Sequence, residues 1–416
     1  MASSEITLEA VASVSDIPAA EWDACANPQG NPNPLEQFDT LALPVVAAGN
    51  SCAGSRPAYN PFVSHAFFAA AEASGSACAR TGWGPRHLLA KLDGAIAGVV
   101  PCYLKSHSQG EYVFDRGWAD AYARAGGRYY PKLQVSVPFT PATGPRLLIR
   151  DGVDPERIGE ALASGLMALC NATSASSVHV TFAREAEANY LGEHGFLLRN
   201  DQQFHWRNAG YTSFDDFLAT LNSRHRKAIK RERREAVSAD ITIHWLTGGD
   251  ITEDAWDAFF RFYTETGSRK WGRPYLTRKF FSLIGESMSR DVLLVMAKRN
   301  GRWIAGAINF IGSDTLFGRN WGAIEHHPFL HFEVCYYQAI DFAIQRGLQT
   351  VEAGAQGEHK LARGYLPQTT YSAHYIADPD LRRAIADYLK RERDYVAEVG
   401  RELAEAAPFR KGGDEA

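Results

Sequence analysis

The sequence has few cysteines and no long hydrophobic run. Its six cysteines are scattered along 416 residues, and none has the spacing of a metal site or a Cys-x-x-Cys motif. No apolar stretch approaches the about 18 residues of a membrane span. The N-terminus also lacks the basic and apolar segments of a signal peptide. We therefore expect reduced thiols, no integral membrane segment and a cytoplasmic location.

The chain also lacks a large excess of charge. Its 44 Lys and Arg residues are nearly balanced by 48 Asp and Glu residues, for a formal net charge of -4. Such a chain exerts little long-range attraction on nucleic acids or anionic lipids, so a polyanion site has to be a local patch. The hydrophobic content of 45% is typical of a globular protein. Because 416 residues exceed what one core usually serves, we expect two domains.

A short segment occurs twice in the chain. Turn-forming residues are concentrated at 27–60, where we expect an irregular loop. Directly after it, PFVSHAFF at 61–68 returns as PYLTRKFF at 274–281. In both copies a hydroxyl residue stands at a helix N-cap position, with a Phe pair three residues later. The pattern indicates a repeated helix start.

Two further matches follow in the same order. LLAKLDGAIAG at 88–98 is echoed by LLVMAKRNGRWIAG at 293–306, and the Asp-Gly and Asn-Gly pairs predict β-hairpins with type I′ turns. FDRGW at 114–118 matches FGRNW at 317–321, which we interpret as a strand in both halves. Three collinear matches predict that the chain is a duplicated unit.

Each half then carries a helix and another strand. Apolar periodicity predicts helices at 155–170 and 333–346, followed by strands at 177–182 and 349–353. In the first half, a short helix at 188–196 and a strand at 203–207 come next. The order predicts an α/β fold with mixed sheets. The predicted parts are an N-terminal strand, helix and irregular loop (1–60), a first domain (61–210), a basic helical connector (211–240), a second domain (241–378) and a C-terminal helix and tail (379–416).

Four unusual segments carry a family resemblance: YYPKLQ at 129–134, PFTPATGPR at 138–146, HFEVCYY at 331–337 and GAQGEHKLARG at 354–364. With the doubled element order, they make residues from about 60 to 378 resemble the Fem-type aminoacyltransferases. More narrowly, the chain resembles the Gram-negative Fem-like group of predicted N-acyltransferases, also described as peptidoglycan biosynthesis or recognition proteins. The resemblance implies two tandem GNAT-like domains with mixed sheets.

The resemblance also implies an activity. Fem-type enzymes transfer an amino acid from aminoacyl-tRNA to an amine of a peptidoglycan precursor. It therefore implies tRNA as a partner, aminoacyl-tRNA as co-substrate with no bound cofactor, and an amine-bearing small molecule or cell-wall precursor as acceptor. The family's basic Ser-x-x-x-Arg-x-x-Ile-x-x-Ala segment is resembled by residues 223–230, with Arg226 and Ile229 in the shared places. Its late motif corresponds to 357–365, where Ala362 stands at the lysine position, which leaves Lys360 or Arg363 to take that place.

A local polycation lies at 224–234, where seven of eleven residues are Lys or Arg. On a helix, Arg226, Lys230 and Arg233 or Arg234 share one face, which suits the phosphates of a tRNA backbone, a nucleotide-diphosphate precursor or a lipid headgroup. The alternative is a solvated helix balanced by neighbouring acids. No aromatic ladder accompanies it, so sequence-specific RNA recognition is not supported. The candidate phosphate-binding residues are Arg226, Lys227, Lys230, Arg233 and Arg234.

Histidines are concentrated in EHHPFLHFE at 325–333. Pro328 interrupts the helical register that would align them, so we predict no metal site. A base at His331 or Glu333 could deprotonate an incoming ammonium, since an amine attacks an ester only as the free base. The alternative for each is a helix cap or an internal hydrogen bond.

A polar, glycine-rich stretch at 352–363 follows a predicted strand. Lys360 or Arg363 could stabilise an oxyanion or bind a substrate carboxylate, whereas the alternative is a hydrated surface loop. The candidate catalytic residues are His331, Glu333, Lys360 and Arg363. Aromatic and charged groups suggest substrate binding, although core packing and surface charge explain some of them. The candidate substrate-binding residues are Asp115, Trp118, Tyr129, Lys132 and Arg146 in the first half, and Arg319, Trp321, Gln356, Glu358 and His359 in the second.

Neither half carries the Gln/Arg-x-x-Gly-x-Gly/Ala turn on which coenzyme A-dependent GNAT domains bind pyrophosphate. This disfavours acetyl-CoA. Our leading hypothesis is a Fem-like N-acyltransferase that uses aminoacyl-tRNA, with acceptor binding near the first half and chemistry near the second. The alternatives are an N-acyltransferase that uses acyl-CoA or an acyl carrier, and a non-catalytic module that binds peptidoglycan or an anionic ligand. The sequence sets no oligomeric state.

Overall fold

The computed structural model describes residues 5–28, 30, 58–238, 240–270, 274–354 and 357–410, and for 267–270 and 358 it describes the backbone alone. The irregular loop predicted at 27–60 lies mostly outside the described residues. Elsewhere the fold alternates strands and helices. The strands are β1 (Ile6–Val11), β2 (Trp83–Pro85), β3 (His87–Leu92), β4 (Ala95–Val100), β5 (Cys102–Lys105), β6 (Lys132–Val135), β7 (Leu148–Ile149), β8 (Ser177–Ala183), β9 (Leu197–Arg207), β10 (Ile241–Thr247), β11 (Val292–Arg299), β12 (Arg302–Ile311), β13 (Thr315–Ala323), β14 (Thr350–Glu352) and β15 (Leu366–Ile376).

The helices fall between the strands in both halves, where the first half runs from β1 to β9 and the second from β10 to β15. They are α1 (Ala19–Ala26), α2 (His65–Ala73), α3 (Arg116–Arg124), α4 (Pro155–Ala172), α5 (Glu185–Glu193), α6 (Phe214–Thr220), α7 (Ser223–Ala236), α8 (Glu253–Lys270), α9 (Arg278–Ser287), α10 (Leu330–Phe332), α11 (Gln338–Gln345) and α12 (Pro379–Glu405). A π-helical turn, Glu333–Tyr337, joins α10 to α11.

The repeated helix starts are confirmed. The hydroxyl of Ser64 accepts the N–H of Phe67 at the start of α2, and the hydroxyl of Thr277 accepts the N–H of Phe280 at the start of α9. Each cap satisfies a backbone N–H that has no partner within its helix. The two helices pack together, with the Phe67 and Phe280 ring centroids 5.7 Å apart.

Both predicted hairpins are also confirmed. Asp93 and Gly94 have φ values of 50° and 88° between β3 and β4, and Asn300 and Gly301 have values of 48° and 76° between β11 and β12. A type I′ turn needs positive φ at both central residues, which Asp-Gly and Asn-Gly tolerate. The turn chemistry therefore fixes the same hairpin in both halves.

The third sequence match is wrong. Phe317–Trp321 lies in β13, as expected, but Arg116–Arg124 forms the helix α3, with Asp115 before its first turn. Tertiary packing explains why this segment is a helix, because Trp118 is buried in a small apolar cluster formed largely with α12. The strands that occupy the place of β13 in the first half are β6, parallel to β8, and β7, antiparallel to β4.

Two sheets contain the fifteen strands. The larger has the order β10-β11-β12-β13-β14-β9-β15-β8-β6-β5-β2, and the smaller has the order β1-β3-β4-β7. The pairs β13–β14 and β6–β8 are parallel, and the other neighbours are antiparallel. The predicted α/β class with mixed sheets in two tandem halves is therefore confirmed.

The last strands of the two halves are exchanged within the larger sheet. β9 of the first half lies between β14 and β15, and β15 of the second half pairs with β8 of the first. β1 pairs with β3, which extends the first half's sheet to the start of the described chain. The continuous sheet fixes the two halves relative to each other.

One apolar core is common to both halves. It lies on one face of the sheets, under α1 and α2 of the first half and α8 and α9 of the second. The opposite face is covered by α4 in the first half and by α10 and α11 in the second. Within the described ranges, no helix is both long and apolar enough to cross a membrane.

Candidate functional site

The candidate site lies where β13 and β14 part. The two strands pair in parallel over only three positions, which end at Phe317 and Glu352. Immediately afterwards β13 has a bulge, because Ile308 of β12 faces both Arg319 and Asn320. A bulge re-aims the side chains that follow it. Arg319 therefore lies over Phe62 in the common core, whereas Trp321 packs on the opposite face.

A cleft of about 550 Å³ opens on the Trp321 side, between the end of β13 and the start of α10. Its walls combine aromatic rings with imidazoles. It is lined by Thr266, Trp321, Ala323, Ile324, Glu325, His326, His327, Phe329, Leu330, His331 and Phe332. This mixture of apolar walls and a few polar groups is typical of a ligand site.

Three of the residues that sequence analysis singled out meet at this cleft. The ring of His331 lies 5.2 Å from that of Trp321, and that of His359 is 6.2 Å from His331. The hydroxyl of Tyr336 bonds Nε2 of His359 at 2.9 Å. His331 is thus held in an aromatic and imidazole cluster at the cleft wall.

Lys360 lies beside the end of β14. Its side chain is buried, and Nζ donates to the carbonyl oxygen of Gly354 at 3.0 Å. Burial lowers its pKa to about 8, an effect that Cys335 opposes and the Arg319 charge reinforces. The group is therefore a cation at neutral pH that loses its proton more readily than an ordinary lysine.

Arg363 is occupied within the protein. Its guanidinium lies 3.4 Å from the centroid of the Phe332 ring and donates to Glu232 of α7 at 2.9 Å. The hydroxyl of Tyr337 donates to the same carboxylate. This network ties the 3₁₀ turn at 358–363 to α7, and the predicted oxyanion role of Arg363 stays a prediction.

Glu333 is also part of an internal network. It accepts hydrogen bonds from Arg233 at 3.0 Å and from Gln338 at 2.6 Å. Burial raises its pKa, and the Arg233 charge partly offsets this. Glu333 is buried in the π-helical turn, away from the lining of the cleft, so its role as a base stays a prediction.

Of the two alternatives for the basic face of α7, Arg233 or Arg234, the structure turns Arg233 inward, and its role in phosphate binding stays a prediction. Its guanidinium turns inward, over the ring of Phe214 at 4.2 Å, and forms ion pairs with Glu333 and Asp341. The ion pairs with these two carboxylates, one buried and one half-buried, stabilise the arginine more than hydration at the surface would.

The other basic residues of α7 remain at the surface. Lys227 and Arg234 are exposed, Lys230 forms an exposed ion pair with Asp215 at 3.0 Å, and Arg226 is half-buried. The helix runs along the cleft, because the guanidinium of Arg231 lies 5.9 Å from the ring of Phe329 in the cleft wall. A patch of cations thus borders the cleft mouth.

A second polar group lies on the opposite face of β13 and β14. Nη2 of Arg319 is 3.9 Å from Oε2 of Glu352, and Oε1 of Glu352 is 4.0 Å from Nε2 of His205. Burial raises the pKa of Glu352 to about 7, although the Arg319 charge lowers it, and burial lowers the pKa of His205 to about 3. Sequence analysis missed His205, and it counted Glu352 among the polar residues of 352–363 without giving it a role. The sequence signal that could have identified both residues is a polar side chain at a strand position that faces inward.

The predicted first-half residues form a closed cluster. The hydroxyl of Tyr129 donates to Asp115 at 2.8 Å, and Nζ of Lys132 donates to Asp115 and to Glu111. Trp118 lies under the guanidinium of Arg199, 5.1 Å from its ring centroid. All four predicted side chains are buried, so their part in acceptor binding stays a prediction.

Arg146 lies apart from that cluster. It donates to the carbonyl oxygens of Thr181 at 2.9 Å and of Ala142 at 2.7 Å. Gln356 and the side chain of Glu358 lie outside the described residues. In the described part of the chain, no three His, Cys, Asp or Glu side chains are grouped to hold a metal ion.

Comparisons with known proteins identify relatives of this chain. The chain is similar to the solved structure of FemX, with 12% identity, coverage of 76% of this chain and 93% of that one, and a TM-score of 0.48. It is also similar to a tandem GNAT protein from the clavulanic acid biosynthesis pathway, with 12% identity, coverage of 90% and 99%, and a TM-score of 0.45. A third similar structure is L-PGS from Bacillus licheniformis, with 8% identity, coverage of 85% of this chain and 98% of that one, and a TM-score of 0.48.

A search of curated proteins gives no significant match. The FemAB-like family model, described as peptidoglycan biosynthesis/recognition, matches residues 13–411. Because this match spans nearly the whole sequence, the chain belongs to the FemAB-like family.

Proposed function

We propose that the protein is a Fem-like N-acyltransferase that moves an aminoacyl group from aminoacyl-tRNA to an amine. One observation carries the proposal: the cleft beside the parting of β13 and β14 has His331 and Trp321 in its wall and the exposed cations of α7 at its mouth. Membership of the FemAB-like family supports a cell-wall precursor as the source of the amine.

The donor fits the cleft through two kinds of contact. The exposed cations of α7 attract phosphates of the tRNA acceptor stem, a contact that requires no sequence readout. The aromatic walls, with Trp321, Phe329 and Phe332, offer surfaces on which a terminal base can stack. The aminoacyl ester at the 3′ end of the tRNA then reaches His331.

Transfer requires a neutral amine. In our proposal His331 accepts one proton of the acceptor ammonium, the amine nitrogen attacks the ester carbonyl, and the nitrogen releases its second proton to solvent as the amide forms. The C–N bond forms, the bond between the carbonyl carbon and the ribose oxygen breaks, and that oxygen takes the proton from His331. The ammonium of Lys360 stabilises the oxyanion formed between these steps. Glu333 and Arg363 act through their networks as positioning residues.

The proposal places the reaction in the cytoplasm, where aminoacyl-tRNA is made. Assignment to the Gram-negative Fem-like group stays a prediction. Acceptor binding near the first half also stays a prediction. The exchanged strands β9 and β15 place both halves in one sheet.

The test is mass spectrometry of amines incubated with the protein and a pool of aminoacyl-tRNAs. Cell-wall precursors, lipids and small amines are analysed with and without ribonuclease. We expect a product heavier by one aminoacyl residue, and its loss after ribonuclease treatment. A product that survives ribonuclease and needs acyl-CoA would support the acyl-CoA alternative. Binding of a precursor without turnover of any donor would support a non-catalytic module.

A further inference from the structure

Arg319 is a buried cation in which two of the three guanidinium nitrogens donate no hydrogen bond within the described chain. Nη1 donates to the carbonyl oxygen of Gly318 at 3.0 Å, but Nε and Nη2 are buried and have no hydrogen-bond partner among the described residues. These two nitrogens share one edge of the guanidinium, the edge that binds both oxygens of a carboxylate. Leaving such donors unpaired in the interior is costly, so the position calls for a function.

The nearest carboxylate does not use this edge. Oε2 of Glu352 is 3.9 Å from Nη2, beyond hydrogen-bond distance, and is itself without a hydrogen-bond partner in the described chain. The backbone of β13 and β14 holds both residues, since the strands pair up to Phe317 and Glu352. The fold thus holds the cation and the carboxylate as a long ion pair without a hydrogen bond between them.

Arg319 also lines a crevice between the two halves. The crevice lies where α2 meets α9, and its walls are mostly apolar. They consist of Phe67, Thr140, Leu276, Phe280, Phe281, Ile308, Phe310 and Asn320 beside Arg319. With a volume of about 10 Å³, it admits a group of roughly the size of one water before side chains move. Among these lining residues the guanidinium is the one charged group, and its apolar surroundings strengthen attraction to an anion.

We propose that the Nε–Nη2 edge of Arg319 binds a carboxylate of the acceptor substrate, on the face of β13 opposite to the cleft. That the ligand is the acceptor substrate rests on the proposed function, whereas binding of a carboxylate by Arg319 does not. The acceptor class is then an amine that also carries a carboxylate, such as an amino acid or a peptide, rather than a simple alkylamine. The parting of β13 and β14 lies between the two faces and lets the amine meet the ester.

Glu352 makes the site sensitive to pH. Its pKa of about 7 leaves it largely neutral at pH 6 and charged at pH 8, where it repels a second carboxylate. Around it stand Arg319 on β13, His205 and Arg207 on β9, and Arg146. Burial lowers the pKa of Arg319 and of Arg146 to about 10, so both remain charged over this range, and His205, with a pKa of about 3, remains neutral.

Two further titratable groups face Arg319. Burial lowers the pKa of Lys360 to about 8, so a rise in pH through that value removes a positive charge. This acts in the same direction as ionisation of Glu352. Burial raises the pKa of Tyr112, which stays neutral. Carboxylate binding is therefore expected to weaken as pH rises from 6 to 8.

The probe is acetate, which is larger than one water and therefore enters only as the side chains around the crevice move, with acetamide as its uncharged match and chloride to equalise ionic strength. The melting temperature, Tm, of the full chain is measured at acetate concentrations up to about 0.1 M. We expect a saturable rise of about 1–3 °C with acetate alone. The apparent Kd should be about tenfold weaker at pH 8 than at pH 6.

Two variants decide the assignment. Arg319→Met should abolish the acetate effect, whereas the matched Arg302→Met, on the exposed end of the neighbouring strand, should keep it. Glu352→Gln should lose most of the weakening between pH 6 and pH 8 and keep only the part that is due to Lys360. Should Arg319→Met fail to fold, this second variant still decides.

No saturable acetate effect in the parent, or an unchanged one in Arg319→Met, would overturn the proposal. An undiminished pH dependence in Glu352→Gln would overturn the role of Glu352, because Lys360 alone accounts for only a part of it. These outcomes do not depend on turnover. If no donor is ever transferred while acetate binding behaves as expected, the proposed function fails and the carboxylate site stands.

Discussion

Both halves contain a pair of parallel strands that part along their length, β6 and β8 in the first half and β13 and β14 in the second. In the first half a groove of about 520 Å³ lies against α4, α5 and β7, just past the end of β8, and in the second half the cleft of about 550 Å³ lies at the start of α10. The difference is at the inner end of the groove. In the first half, a side chain of the protein itself occupies the inner end of the groove.

That side chain is Glu187 of α5. Its carboxylate accepts the backbone N–H groups of Arg146, at 2.9 and 3.0 Å, and of Leu147, at 2.5 Å. Backbone N–H groups at a strand parting are suited to a substrate carbonyl, and here an internal carboxylate takes them. In the second half His331 and Trp321 border an open cleft instead. A duplicated unit can thus keep its chemistry in one copy while the other uses its polar groups for stability.

The largest expected effect comes from the buried ion cluster of the first half. Burial alone would lower the pKa of Lys132, but Glu111 and Asp115 raise it above its ordinary value. Lys132→Met leaves the buried Asp115 without its lysine and Glu111 with only Lys105, at 3.6 Å, and we expect a loss of about 3–5 kcal/mol in the free energy of unfolding. Urea denaturation at pH 7 measures it.

Lys105 in the same cluster is the matched control. It lies over the Trp83 ring at 3.7 Å, and burial lowers its pKa to about 7, so it contributes less charge than Lys132. We expect Lys105→Met to change stability by no more than about 1 kcal/mol. Equal losses in the two variants would mean that the cluster is not organised around Lys132.

The next largest effect should be on catalysis alone, in the second half. His331→Ala removes the proposed base from the cleft wall, and we expect transfer to slow about 100-fold. Its Tm should change little, because the imidazole borders solvent-accessible space. His194→Ala, in the groove of the first half, is the control and should leave the rate unchanged. A larger rate loss in His194→Ala would reverse the comparison between the halves.

Features set by neighbours along the chain could be predicted from the sequence. The caps at Ser64 and Thr277 and the turns at Asp93 and Asn300 need only a few adjacent residues, and they are found as expected. The helix predicted at 155–170 is found as α4, and the strand predicted at 177–182 as β8. His331 and Trp321, two of the predicted site residues, flank one junction between a strand and a helix and lie together in the structure, whereas their roles stay predictions.

Features set by distant contacts could not be predicted. The exchange of β9 and β15 and the inward turn of Arg233 toward Glu333 depend on pairings across much of the chain. The FDRGW match misled because its letters fit a strand, whereas packing of Trp118 with α12 favours a helix. The pairing of Arg319 with Glu352 needs the parallel register of β13 and β14, which no local pattern contains.

A smaller loss of stability is expected at the inner end of the first-half groove. Glu187→Gln keeps one acceptor oxygen but sets an amide group against backbone N–H groups, which should cost about 1–3 kcal/mol. Glu193→Gln, exposed on the same helix, is the control and should be neutral within about 0.5 kcal/mol. The free energy of unfolding in urea separates the two. If Glu187→Gln were as stable as the parent, the carboxylate would not be what closes the first half.

The smallest effect concerns the basic border of the second-half cleft. Lys227 and Arg234 are exposed on α7, so a Lys227→Ala, Arg234→Ala double variant should lose two phosphate contacts. We expect tRNA affinity to fall about 3- to 10-fold at low salt and the slope of log Kd against log salt to decrease by about 2. A filter-binding titration over several salt concentrations measures both quantities.

The control removes the same charge from another surface. Lys390 and Arg391 are exposed on α12, which packs with β9, β15 and α3 rather than beside the cleft. Long-range attraction depends on net charge, so it weakens equally in both double variants, whereas direct phosphate contact is lost only from α7. A reduced salt slope confined to the α7 variant would therefore place the tRNA at the second half. Equal slopes in the two variants would remove the physical reason for assigning the donor to that cleft.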